Sequence, residues 1–315
     1  MAGGLQELNR RIKSVRNTQQ ITRAMKMVAA AKLRRAEERA RQSRDYFREI
    51  RAITSRAASR STRGHALLEQ RPPLRAAMLV VTSARGLAGP HNTNVLRQAT
   101  AELQHMATKE KFIFAVGRKG RDFFRRRGYP IMDEFLGVGD DPSYRQARAI
   151  AEVVIARFLT KEVDEVYLTY TEYVNAMTQH SKTIRILPVE PMGFTNQAFG
   201  VQGAFAVAAA GAAGSARLVE TTSPPTSGET QGYVFEPDTS TVFEDLLPRY
   251  IEVLIYGALL ESKASEQGAR MTAMDSASKN AEELIRRMIL MRNRMRQAAI
   301  TREIAELVGG AEALE

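Results

Sequence analysis

The side chains most able to do chemistry in this 315-residue chain lie between residues 65 and 238. SARGLAG, residues 83–89, directly follows an apolar run. Glycines placed after a strand let backbone N–H groups close around a phosphate. The fuller phosphate signatures are missing: GRKG at 117–120 lacks the rest of GxxxxGK[ST], and GVGDDP has no third glycine and no helix in the required place. The 83–89 loop therefore reads as a structural or contact turn. His65, His91, His105 and His180 neither pair at i,i+4 nor carry the carboxylate of HExxH, so no metal site is expected. No serine stands in a GxSxG elbow. With no cysteine there is no disulfide, thiolate ligand or cysteine nucleophile. Glu236 and Asp238 flank Pro237 in a turn, a setting that suits a surface contact better than proton transfer. No catalytic, cofactor-binding or metal-binding residue is assigned.

The elements that would position such residues alternate. Ala76–Val81, Phe112–Val116, Glu165–Tyr173 and Thr183–Leu187 read as strands, and Asn92–Met106, Gly120–Arg127 and Ser143–Leu159 as helices. Asn92–Met106 has His91 or Asn92 near its start, and Pro142 stands close to the first turn of Ser143–Leu159. Strand–helix alternation at this spacing predicts an open, largely parallel α/β sheet of four or five strands. Residues 195–232 differ: AFAVAAAGAAGSA and SPPTSGETQG mark a low-complexity insertion.

The ends differ again. Residues 5–63 hold no Gly and no Pro, and residues 249–308 hold no Pro and only Gly257 and Gly268. If each is one helix, each runs ~85–90 Å at 1.5 Å per residue. Leu5, Leu8, Ile12 and Val15 start an apolar stripe that Ile21, Met25 and Val28 continue in a shifted phase, with Gln19 and Thr22 interrupting it. From Ala36 to Arg63 the first rod is mostly Arg, Glu, Ser and Ala, and is expected to fray. In the second rod Met274, Ala277, Ala281, Leu284, Met288, Met291, Met295 and Ala298 alternate spacings of 3 and 4, a packing seam rather than a cofactor box. Pro248 reads as a starter for that rod. A seam of Ala and Met is weak and calls for a surrounding sleeve. The expected fold is α/β: a long antiparallel coiled coil of N- and C-terminal helices plus a small open α/β sheet domain. Its segments are 1–63 (coiled-coil helix), 64–194 (globular domain), 195–232 (insertion), 233–248 (connection) and 249–315 (coiled-coil helix).

Composition, 44% apolar and 26% charged, fits a soluble folded protein. No run approaches the ~20 apolar residues of a membrane span, and no signal peptide is visible. The net charge of +11 is local: residues 1–63 carry 17 Lys/Arg against 5 Asp/Glu. A second basic run, Arg286, Arg287, Arg292, Arg294, Arg296 and Arg302, has no acid between Glu283 and Glu303. A solvated face, nucleic acid and an acidic protein partner all fit such charge.

The strings RIKSVRNTQQITRAMKMVAAAKLRRA, ESKASEQGARMTAMDSASKNAEELI and RQAAITREIAELVGGAEAL resemble the gamma subunit of rotary (F-type) ATP synthases, as do TSARGLAGPHNTNV and YVFEPD followed by LLPRYIEV. The resemblance spans nearly the whole chain apart from 195–232. The loop departs from the family's SDRGLCGxFN at Ala84, Ala88, Pro90 and His91. Chloroplast-type members carry a redox-switched cysteine pair, which a chain without cysteine does not have.

The resemblance implies a non-catalytic rotor shaft coupling c-ring rotation to conformational cycling of the alpha/beta hexamer. It implies alpha, beta and epsilon subunits and the c-ring as partners, with no nucleic acid and no cofactor. The place implied is peripheral, on the cytoplasmic face of the bacterial cell membrane, with an organellar inner membrane as the second reading. By resemblance Arg296, Gln297 and Thr301 touch a catch loop of the beta subunit, with Arg10, Lys13 and Met25 on the facing rod. Ile304–Val308 would sit in a greasy bearing, and Phe235 and Glu236 in the foot that meets the c-ring or epsilon. Two rivals remain at this point. A basic coiled-coil nucleic-acid binder would lose affinity steeply with salt, and a small α/β enzyme with helical arms would turn over a nucleotide unaided.

Overall fold

A computed structural model describes residues 2–60, 65–189 and 238–312. In chain order the elements are α1 (Ala2–Arg60), a 3₁₀ turn (Ala66–Leu68), β1 (Arg75–Val81), α2 (His91–His105), β2 (Glu110–Val116), α3 (Arg118–Arg126), β3 (Ile131–Phe135), α4 (Tyr144–Leu159), β4 (Glu165–Tyr173), β5 (Gln179–Leu187) and α5 (Thr239–Glu312). They fall into two compact units, one running to Ala31 and again from Arg270, the other Lys32–Ala269.

The second unit is built on a five-stranded sheet of order β3-β2-β1-β4-β5. β1 pairs in parallel with β2 and β4, β2 in parallel with β3, and β5 closes the far edge antiparallel to β4. The central strands are apolar on both sides because both faces are covered. Ala77, Leu79 and Val81 pack with α4 (Ile150, Val154, Phe158) and with α1 and α5 (Ile50, Ala57, Ile251, Ile255). Met78 and Val80 face the other way, onto Val95, Leu103 and Phe124 of α2 and α3.

Edge strands were harder to read from sequence. β3, IMDEF, carries Asp133 and Glu134 and only partly buries its side chains, so its apolar signal is weak and the sequence does not mark it. β5 begins four residues before Thr183, because an edge strand tolerates the polar QHSK. α4 opens on a capping box: Ser143 Oγ accepts from Gln146 N at 3.3 Å, and Gln146 Oε1 accepts from Ser143 N at 3.0 Å. Pro142 thus lies just outside the cap.

Three expectations about the rods are corrected. α1 does not fray beyond Ala36 but stays helical to Arg60, since Ala36, Ala40, Ile50 and Ala57 are buried. Pro248 does not start the last helix. α5 begins at Thr239, inside the expected 233–248 connection, and Pro248 lies within it. Burial of Phe243, Leu247 and Ile251 on both sides of the proline outweighs the one lost backbone hydrogen bond. The third correction concerns the phase of the seams.

In the first unit α1 and α5 pair antiparallel. Thr22 meets Ser278 through hydroxyls 2.7 Å apart, Lys26 Nζ donates to Asp275 at 2.6 Å, and Arg23 stands 3.7 Å from Glu282. Gly4 is level with Met295, whose Cε would lie 3.1 Å from a Cβ at that position. On α1 the seam does not shift at Ile21. It keeps its phase through Gln19 and Thr22, the latter only 8% exposed, and leaves Ile21 at 59% and Val28 at 54% exposed. On α5 the inward positions are Met274, Ser278, Ala281, Ile285, Met288, Arg292, Met295 and Ala299. Every second expected position, Ala277, Leu284, Met291 and Ala298, is therefore one residue out of phase. Ile285 is 8% exposed and Met291 57%.

Candidate partner-binding surface

The paired helices present two kinds of outward side chain. The first is polar and in part cationic. Arg10, Lys13, Arg296, Gln297 and Thr301 all lie exposed on the first unit, while Met25 is half-buried toward the seam. The antiparallel register sets Arg296 and Gln297 beside the start of α1, near Gly4. Met25 is level with Asp275, beside the Lys26–Asp275 pair. Asp275 and Arg296 are 21 residues apart, about 31 Å along a helix. The pairing thus does not gather all six residues into one patch. Phe235 and Glu236 lie outside the described residues, as does the 195–232 stretch.

The second kind is apolar, and sequence reasoning misplaced much of it. Ile21, Met27 and Val28 on α1, and Leu284, Leu290, Met291, Ile300 and Ile304 on α5, are exposed. Ile21, Val28, Leu284 and Met291 are seam positions in the sequence pattern but face outward in the structure. The signal that finds them is continuity of heptad phase: a stripe that carries on through Gln19 and Thr22 forces Ile21 and Val28 outward. Exposed apolar side chains mark an interaction surface where they lie contiguously, which makes these eight the candidates for one.

Asp275 of α5 pairs both across to α1 and along its own helix. Asp275 accepts from Lys26 at 2.6 Å and Lys279 at 2.9 Å. Those hydrogen bonds, Lys26 first, lower its carboxyl to about 2.

The body explains its own glycines. The loop after β1 is folded back: Asn92 Oδ1 accepts from Ser83 N at 3.0 Å, and Asn92 Nδ2 donates to Ser83 Oγ at 2.8 Å. Thr82 Oγ1 donates to Val116 O at 2.9 Å and accepts from Gly120 N at 2.8 Å. Gly117 has φ +88°, and a Cβ there would lie 2.2 Å from the Thr82 carbonyl oxygen. These glycines thus serve close backbone approach. Of the unusual loop residues, Ala88 and His91 are buried, and His91 N donates to Ala88 O at 3.2 Å.

In an open α/β sheet, ligands enter beyond the strand ends where the connections diverge, here between β1 and β4. α5 is bonded to the end of β4: Thr171 N donates to Ser262 Oγ at 3.2 Å, and Ser265 Oγ donates to Thr171 O at 3.3 Å. Nearby, Glu261 of α5 is half-buried, but its Oε2 is sealed and has no hydrogen-bond partner among the described residues. Burial first, then the neighbouring Glu172 charge, push its carboxyl up to about 8, with Lys182 offsetting part. Glu172 itself holds Lys182 at 2.6 Å. Among the described residues no group of three or more His, Asp or Glu has a metal-binding arrangement. No described helix is long and apolar enough to cross a membrane.

A family model described as ATP synthase matches residues 4–314. The ATP synthase gamma chain of Pelotomaculum thermopropionicum is 44% identical over 99% of both chains. That of Parafrankia is 43% identical over 100% of this chain and 99% of its own. Among solved structures, a chain of the Euglena gracilis mitochondrial ATP synthase (OSCP/F1/c-ring) superposes with a TM-score of 0.65 at 19% identity, covering all of this chain and 95% of its own. A chain of the Tetrahymena thermophila central stalk and c-ring superposes with a TM-score of 0.56 at 22% identity, covering 82% of this chain and 99% of its own. At those identities the structural likeness establishes the fold.

Proposed function

Because this chain belongs to the ATP synthase gamma chain family, we propose that it is the central rotor shaft of a proton-translocating ATP synthase. In this reading it couples c-ring rotation to conformational cycling of the alpha/beta hexamer, and it is the non-catalytic stalk subunit of that complex. The observation that carries the reading is the antiparallel pairing of the chain's two ends, with apolar and cationic side chains left outward on the paired helices.

The mechanism is differential binding. A shaft with one cross-section offers each of three identical catalytic subunits a different face. Unequal contact energies bias those subunits toward different conformations, and a ligand or contact shifts an equilibrium only by its differential affinity. Turning the shaft moves the bias around the ring. Ile21, Val28, Leu284 and Met291 supply apolar contacts, and Arg10, Lys13, Arg296, Gln297 and Thr301 meet the beta subunits, with Met25 beneath. Ile304–Val308 sits in the bearing. Phe235 and Glu236 belong to the foot against epsilon or the c-ring. The chain works at the cytoplasmic face of the bacterial cell membrane, held there through the complex, and takes part in ion transport through it.

Co-expression with alpha and beta subunits, followed by sizing and an ATPase assay, tests the reading. The chain should co-elute with the hexamer and change its ATPase rate. A free chain beside an unchanged hexamer sinks the proposal. Arg296→Ala combined with Gln297→Ala should weaken coupling while leaving the helices intact. Unchanged ATPase and pumping in the reconstituted complex would remove the contact role from those two residues.

A further inference from the structure

One carboxylate in the second unit collects cations from three separate elements. Asp140, on the loop between β3 and α4, accepts from Lys32 Nζ of α1 at 2.6 Å and from Arg85 Nη2 of the β1–α2 loop at 2.7 Å, both on Oδ2. Lys263 Nζ of α5 lies 3.4 Å from its Oδ1 and also donates to Glu266 at 2.8 Å. The neighbouring Asp141 pairs with Arg39, seven residues beyond Lys32 and so on the same face of α1. A short loop thus grips α1 twice, α5 once and the end of β1 once. Burial alone would raise the Asp140 carboxyl. The hydrogen bond from Lys32, the Lys263 charge and the hydrogen bond from Arg85 together outweigh it and hold the group well below the ordinary carboxylate range.

We propose that Asp140 is a positioning residue for torque transfer: it ties α1 and α5 to the sheet so that a turning force on the body reaches the helices. The inference rests on the rotor reading above. Apolar burial between helix and sheet is non-directional. Charge-assisted hydrogen bonds have a fixed length and direction and so resist sliding. Lys32 and Lys263 come from different helices and repel each other unless a negative charge stands between them. Removing that charge leaves the Lys32 ammonium and the Arg85 guanidinium without their shared partner and Lys263 held by Glu266 alone.

The test uses the complete complex reconstituted in liposomes, with ATP hydrolysis and ATP-driven proton uptake measured together. Asp140→Asn should keep hydrolysis within about twofold and lose several-fold of the protons moved per ATP, a ratio that simple loss of stability or of complex number does not change. Asp140→Glu, which keeps the charge, should recover most of the ratio. A wild-type ratio in Asp140→Asn overturns the proposal while leaving the rotor reading intact. A wild-type complex that fails to pump at all sinks the rotor reading instead. If Asp140→Asn does not enter the complex, Lys32→Gln replaces it, because that change breaks the tie from Asp140 to α1 and leaves Arg85 and Lys263 beside it. A wild-type ratio there overturns the proposal equally, and a lowered one supports it.

Discussion

Two residues of the body carry consequences that can be measured on the chain itself. Gly117 combines φ +88° with a carbonyl oxygen where a Cβ would go. Gly117→Ala should therefore lower stability by at least about 1–3 kcal/mol, read as a fall in the urea midpoint, whereas Gly128→Ala, with open space around it, should cost less despite its own positive φ. Glu261 sets a pH dependence. Its folded carboxyl is raised from 4.5 to about 8, so the native state holds a proton that the unfolded chain releases. The stability Glu261 allows is full below about 4.5, declines as pH rises between 4.5 and 8, and is lost above that. Glu261→Gln removes this part of the slope. The wild type should lose more stability than the variant between pH 6 and pH 9, and equal losses would show that Glu261 ionises freely in the folded chain.

Among the elements, the seam of the paired helices is the feature that energetics can locate. Ile285 faces inward and Leu284 outward. Ile285→Ala should cost about 2–5 kcal/mol in thermal unfolding, as buried aliphatic truncations do, and Leu284→Ala within about 0.5 kcal/mol, as surface changes do. Similar costs for the two would restore the alternative phase. The buried Thr22–Ser278 hydroxyl pair gives this seam a polar rung, and a polar seam position fixes register at some expense of stability. The heptad was legible in the sequence because Met274, Ala281, Met288 and Met295 recur every seven residues. The other half of the repeat was not, because the competing positions carry apolar Ala277, Leu284 and Met291 while the inward ones include Ser278 and Arg292, so apolarity alone points to the wrong phase. β3 was hidden for a related reason: an edge strand needs to bury only part of itself, so IMDEF carries no continuous apolar run.

At the scale of the whole molecule, the outward apolar residues matter through the complex rather than through the fold. Ile21→Ser with Val28→Ser should leave helicity unchanged and weaken the effect of the chain on hexamer ATPase severalfold, measured after co-expression. A normal ATPase response would remove these residues from the interface. The sequence by itself determined the alternation of strands and helices, the two proline-poor ends, the family signatures and the lack of any cysteine, since each is a local pattern written in consecutive residues. Only the tertiary structure decided which side of each long helix turns inward, that α5 runs through Pro248, and that Asp140 draws together Lys32, Arg85 and Lys263. Those outcomes depend on groups that meet from distant parts of the chain, where burial and charge pairing outweigh local preference.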